Sequence, residues 1–135
     1  MTRIESEKVL ISKPQSEVFS FLSNFNNFKQ LMPEQVVDWT STETECSFTI
    51  KGMASLGMKI AGKSPESEIR IINNGKAPFD FELYCMIEPA ANSSQCNLQL
   101  LFDTDLNPFL KMMAEKPLKN FLNILVANLK TISAA

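Results

Sequence analysis

The chain has 135 residues, 44% hydrophobic and 21% charged, with a formal net charge of -2 and a pI near 5.2, which suits one globular domain (1–135) with a sizeable core. The eleven lysines are scattered rather than clustered, so there is no electrostatic footprint for nucleic acid. No apolar run approaches the roughly 18 residues of a membrane span, and the charged opening MTRIESEKVL lacks the apolar stretch of a signal peptide. No integral membrane segment is expected, and the expected location is cytoplasmic.

RIESEKVLIS, residues 3–12, reads as a first strand whose weak alternation leaves its inward face undefined. KPQSEVFSFLSNF then changes period. Pro14 suits a first helical turn, Glu17 suits the positive end of the helix dipole, and Val18, Phe21, Leu22 and Phe25 fall at i, i+3, i+4 and i+7. Asn26 or Asn27 can cap a second short helix, FKQLM, which presents Phe28, Leu31 and Met32 before Pro33 ends it.

From residue 35 to 106 the period becomes two, with turn signals at TETE, KGMA, KSPE, NNGKAP and PAANSS, so the spacing predicts an antiparallel meander. One parity set is apolar: Cys46, Phe48 and Ile50; Leu56, Met58 and Ile60; Ile69 and Ile71. It continues with Phe79, Phe81, Leu83, Cys85 and Ile87, then Cys96, Leu98, Leu100 and Phe102. The other set carries Thr49, Lys51, Lys59, Arg70, Asp80, Glu82, Glu88, Gln99 and Asp103, giving a sheet with one wet face and one dry face. After Asn107 as a cap and Pro108 in the first turn, a helix is predicted to about Ile132, with Leu118, Phe121, Leu122, Leu125, Leu129 and Ile132 as its apolar stripe. Lys119, Asn120, Asn123 and Lys130 face away from that stripe. Pro117 predicts a kink, or a short first helix ending near Ala114.

The residues able to do chemistry are few. The chain has no histidine, which removes the usual general base, the Ser-His and Cys-His nucleophile pairs and the commonest metal ligand. Cys46, Cys85 and Cys96 are odd in number, far apart and on the dry parity, so they read as buried free thiols rather than disulfides or a zinc site. DTDLN, residues 103–107, resembles the start of a calcium loop, but Pro108 and Ala114 occupy positions where glycine and glutamate are needed. The candidate carboxylates Asp80, Glu82, Glu88, Asp103 and Asp105 all read as outward-facing. No metal and no cofactor is expected.

IKGMASLGMKIAGKSP, residues 50–65, holds Gly52, Gly57 and Gly62, but it neither opens a helix nor continues to Lys-Ser/Thr, so it is no phosphate loop. Its glycines mark either bends in a curved sheet or room beside Met53 and Met58 for a ligand. Methionine fills gaps or lines adaptable surfaces, and Met112 and Met113 stand just before Pro117, where packing is interrupted.

The order strand, two short helices, meander and long C-terminal helix resembles the START-like or Bet v 1-like superfamily, also called SRPBCC or polyketide cyclase/dehydrase-like. KVLISKPQSEVFSFLSNFNNFKQLMPE is similar to that superfamily's opening, and FTIKGMASLGMKI to the strand pair that follows it in small bacterial members, including relatives of a carbon monoxide dehydrogenase-associated family. The resemblance implies an α+β helix-grip fold: about seven antiparallel strands curved around the long helix, with a cavity between them. Members bind lipids, sterols, quinones or other apolar molecules, and some cyclise polyketides or act as co-chaperone-like activators.

The candidate ligand-binding residues are Phe28 and Met32 from the second helix, Phe48, Met53, Met58 and Ile60 from the first strand pair, and Phe81, Leu83, Leu100 and Phe102 from the last strands. Met113, Phe121 and Leu125 complete the set from the C-terminal helix. Neither Arg3 nor Arg70 clearly faces in. The leading expectation is a non-catalytic carrier or sensor of an apolar small molecule. A cyclase or dehydrase using Tyr84, a thiol or a carboxylate is the alternative. A protein-binding module, or a homodimer, is a third reading, suggested by Val37, Trp39, Ile72, Tyr84, Met86 and Leu101 on the wet parity.

Overall fold

The structure, a computed structural model, describes residues 2–75 and 79–134. The N-terminal segment expected as one strand is two, β1 (Thr2–Glu5) and β2 (Val9–Ile11), both antiparallel to the same later strand. Between them Ser6 keeps pairing: its N–H donates to the Leu100 carbonyl at 2.9 Å and its hydroxyl accepts the Leu100 N–H at 2.9 Å. Ile4 and Ile11 are the buried apolar residues of this segment, whose inward face the weak alternation left undefined, and Ser6 is buried with them.

Helix α1 (Gln15–Leu22) follows Pro14 and buries Val18 and Leu22. Phe25 belongs to the next element. Asn24, rather than Asn26 or Asn27, caps α2 (Phe25–Phe28) by accepting the Asn26 N–H at 2.9 Å, and a 3-10 turn over Lys29–Leu31 follows. One helical turn brings the buried rings of Phe25 and Phe28 edge to face at 5.0 Å, and that contact favours the earlier start.

Six further strands complete one sheet: β3 (Val36–Ser41), β4 (Glu45–Ile50), β5 (Ala54–Ser64), β6 (Glu68–Asn73), β7 (Phe81–Pro89) and β8 (Cys96–Thr104). The spatial order is β1-β8-β7-β6-β5-β4-β3, with β2 also on β8, and every pairing is antiparallel. Among the described residues the expected seven or so strands become eight because the first is broken. Of the turn expected at NNGKAP, residues 76–78 lie outside the described residues.

The dry parity set is buried as expected except at Ile60 and Phe79, which are half-buried. Ile60 sits where the register between β5 and β6 shifts, which turns it partly out of the core. Two wet-parity expectations are overturned. Asp38 has a left-handed φ of 56°, the register between β3 and β4 shifts between Val37 and Thr40, and Trp39 stacks on Phe48 at 5.2 Å. A one-residue bulge exchanges faces, so Trp39 packs against the core instead of facing solvent. Asp103 keeps its outward parity but is buried, because Arg3 lies over it in a bidentate pair at 2.7 and 2.8 Å.

Gly57 serves the sheet. A Cβ there would collide with the Asn74 carbonyl, whose own N–H donates to the Gly57 carbonyl at 2.9 Å, so the space beside Gly57 is filled by backbone rather than left for a ligand.

Helix α3 (Pro108–Ser133) is one continuous element, not the short helix ending near Ala114. Asn107 caps it, accepting the Leu110 N–H at 2.8 Å, and Pro117 lies inside it, unable to donate to the Met113 carbonyl. Its buried stripe is Leu118, Leu122, Leu125, Val126, Leu129 and Ser133. Phe121 is only half-buried, and Ile132 is exposed. The C-terminal part of α3 packs on β1, β2, β8 and the 3-10 turn. Asn123, expected to face solvent, accepts the Glu7 N–H at 2.8 Å, and Asn128 donates to the Leu31 carbonyl at 2.7 Å.

Candidate functional site

The first turns of α3, from Pro108 to Pro117, bury no side chain. Before Leu118 the helix overhangs the end of the sheet where β4 turns into β5. Between them lies a groove of about 740 Å³, a volume typical of small-molecule sites. Its floor and one wall come from Ile50, Met53 and Ala54 around the β4–β5 turn, which Gly52 makes with a φ of 78°. Phe79 closes the side nearest β7. Leu110, Met113, Ala114, Phe121 and Ile124 supply the helical wall, at the i, i+3, i+4 spacing that puts them on one face. Gln35, Lys51 and Asn120 contribute the polar groups at its rim, with Lys51 the ionisable one. Met113 is 61% exposed and Met53 38%, so the groove is open to solvent on that side.

Beneath the groove, within the grip of the sheet, is a second and much smaller space of about 30 Å³. Phe28, Met32, Phe48, Met58, Phe81, Leu83, Phe102, Phe121 and Leu125 line it, so nine of the thirteen candidate residues converge here. Met53 and Met113, with Phe121 again, line the outer groove. Ile60 and Leu100 line neither: Leu100 is buried on β8 beside Ser6, and Ile60 lies at the shifted register of β5. Sequence reasoning missed Gln35, Ile50, Ala54, Phe79, Leu110 and Ile124. Asn107 and Pro108 gave the start of α3, but no periodic signal could place its first turns over the β4–β5 turn.

Apart from Lys51, the described groups that could carry acid–base chemistry lie outside the groove lining. Tyr84 is on the outer face of the sheet, where it donates a short hydrogen bond to Glu82, which also accepts from Arg70 at 2.8 Å. Arg70, and then Tyr84, hold the Glu82 carboxyl below the ordinary carboxylate range, while Glu82 raises the Tyr84 hydroxyl above its own. The three thiols are buried in the core; burial pushes Cys46 and Cys85 up to about 12 and raises Cys96 as well.

XoxI from Bacillus cereus superimposes on the chain with a TM-score of 0.80 at 9% identity, over 99% of this chain and 96% of that one. A START superfamily protein from Mycobacterium smegmatis does so at 0.73 and 14% identity, over 98% and 97%. The chain has the START-like, helix-grip fold. A further match is BexL, the di-domain ARO/CYC of the BE-7585A biosynthetic pathway, with a TM-score of 0.76 and 17% identity. There 97% of this chain covers 46% of the di-domain. No family model and no curated protein matches the sequence. At such identities the likeness carries the START-like fold and not an activity. Among the described residues, no helix is long and apolar enough to cross a membrane.

Proposed function

We propose that residues 1–135 form one START-like domain that binds or carries an apolar small molecule, such as a lipid, quinone or polyketide-like compound, without transforming it. The observation that carries this reading is the 740 Å³ groove, walled mainly by aliphatic, aromatic and methionine side chains. A ligand there is held chiefly by removing apolar surface from water, at roughly 25 cal/mol per Å². Gln35, Lys51 and Asn120 at the rim suit a single polar end of such a molecule.

Catalysis of the cyclase or dehydrase type draws support from the likeness to BexL. Against it, Tyr84 and Glu82 are engaged with each other on the outer face, and among the described residues Lys51 is the one ionisable side chain along the groove.

Native mass spectrometry of freshly purified protein tests the proposal. A co-purifying apolar molecule, or saturable uptake of an environment-sensitive apolar dye, supports it. A protein that is empty and takes up no dye defeats it.

A further inference from the structure

The exposed large apolar residues are unevenly placed. Leu10 and Ile132 lie away from the groove, but Met53, Phe109, Leu110, Met112 and Met113 all stand at the end of the molecule where it opens. Met53, Leu110 and Met113 are accounted for as groove lining, but Phe109 and Met112, 68% and 84% exposed, line no part of it. With about 100° between successive helical residues, Phe109, Met112, Lys116 and Lys119 fall within about 80° of one another, on a stripe beside the groove-facing side of α3. The stripe contains two lysines and no acid; Glu115 and Lys111 lie just beyond its Lys119 edge, so with Lys51 on the facing turn four cations stand against one acid on this part of α3 and that turn. A chain of net charge -2 therefore presents a cationic, apolar tip at the mouth of its groove.

We infer that this tip docks on the surface of an anionic lipid bilayer. Phe109 and Met112 enter the boundary between headgroups and acyl chains, and Lys116, Lys119 and Lys51 meet the lipid phosphates. Amphipathic segments bind membranes by this combination of buried apolar area and attraction to anionic lipid, and lysine stems cover apolar surface while their ammonium groups stay in water. The groove then opens toward the bilayer, where an apolar ligand would be concentrated. Docking does not require the groove to be occupied, so it can stand or fall separately from the proposed ligand binding.

Co-sedimentation with vesicles of phosphatidylcholine alone, and of phosphatidylcholine mixed with phosphatidylglycerol, tests the inference. The protein is expected to sediment with the mixed vesicles, less with phosphatidylcholine alone, and less as salt is raised. Phe109→Ser with Met112→Ser should abolish sedimentation while leaving the melting temperature and dye uptake unchanged. Lys116→Glu with Lys119→Glu should weaken partitioning to the mixed vesicles by at least about tenfold. The inference is overturned if the unaltered protein stays in solution with both vesicles, or if Phe109→Ser with Met112→Ser sediments as before. It is also overturned if light scattering shows a dimer that this double variant dissociates and that vesicles do not compete with, because the tip would then be a contact between copies of the chain.

Discussion

Ile50, at the end of β4, and Phe121, on α3, each line both the outer groove and the inner pocket, so the two spaces adjoin at these two side chains. Phe121 comes from α3 and is half-buried, whereas Ile50 belongs to the buried core. Phe121→Ala should merge the two spaces. The expected outcome is tighter binding of longer-chain apolar dyes than of compact ones, with a stability loss of about 1–3 kcal/mol, below the range for a fully buried phenylalanine. A chain-length series measured on both proteins checks it. Equal gains for short and long dyes would show that the pocket stays closed.

Met113 tests the groove from the opposite side. Met113→Trp fills space in a wall that is open to solvent and not part of the packed core, so it should weaken dye binding without lowering the melting temperature. Ala61→Leu, at an exposed position outside the groove, should leave dye uptake nearly unchanged. A destabilised Met113→Trp with unaltered dye binding would make Met113 ordinary packing.

Gly57 and Gly62 should behave oppositely when replaced by alanine. At Gly57 the methyl group meets the Asn74 carbonyl, so β5 must separate from the chain following β6, at a cost of about 1–3 kcal/mol. At Gly62 there is open space, and alanine should be neutral or stabilising by up to about 1 kcal/mol through the unfolded chain. Urea unfolding of the two variants checks both signs.

The thiols give a prediction in alkali. Burial raises Cys46 and Cys85 to about 12 in the folded state, against about 8.5 for an exposed thiol. The folded state therefore favours the protonated form. The associated stability is fully present below the unfolded value and is lost as pH rises from there through the folded value. Each thiol should remove about 1.4 kcal/mol per pH unit over that window. Denaturant titrations between these limits should show the loss, and Cys46→Ala with Cys85→Ala should flatten the slope whatever its effect at neutral pH. All three cysteines should resist thiol reagents until the protein unfolds.

Features set by local spacing were legible in the sequence. The Asn107-Pro108 pair marked the start of α3, and strict alternation from Cys46 to Phe102 identified the core face of the sheet. What was hidden depended on long-range geometry. Arg3 and Asp103 meet across paired strands one hundred residues apart, so no local pattern shows that the carboxylate is covered. Alternation puts Trp39 on the wrong face because one left-handed residue, Asp38, shifts the register. Most of the inner pocket could be anticipated because inward parity defines it. The outer groove joins Gln35, the β4–β5 turn, Phe79 and the overhang of α3, a set that no single period connects.

Trp39 is the chain's one tryptophan, and its indole N–H donates to the Ser41 hydroxyl at 3.0 Å while its ring lies on Phe48. Phe48 also borders the inner pocket. The intrinsic fluorescence of the protein thus originates one ring away from the inner pocket. A molecule confined to the outer groove should leave that emission as it is, whereas one that reaches Phe48 should shift its colour, so depth of entry could be followed without a label.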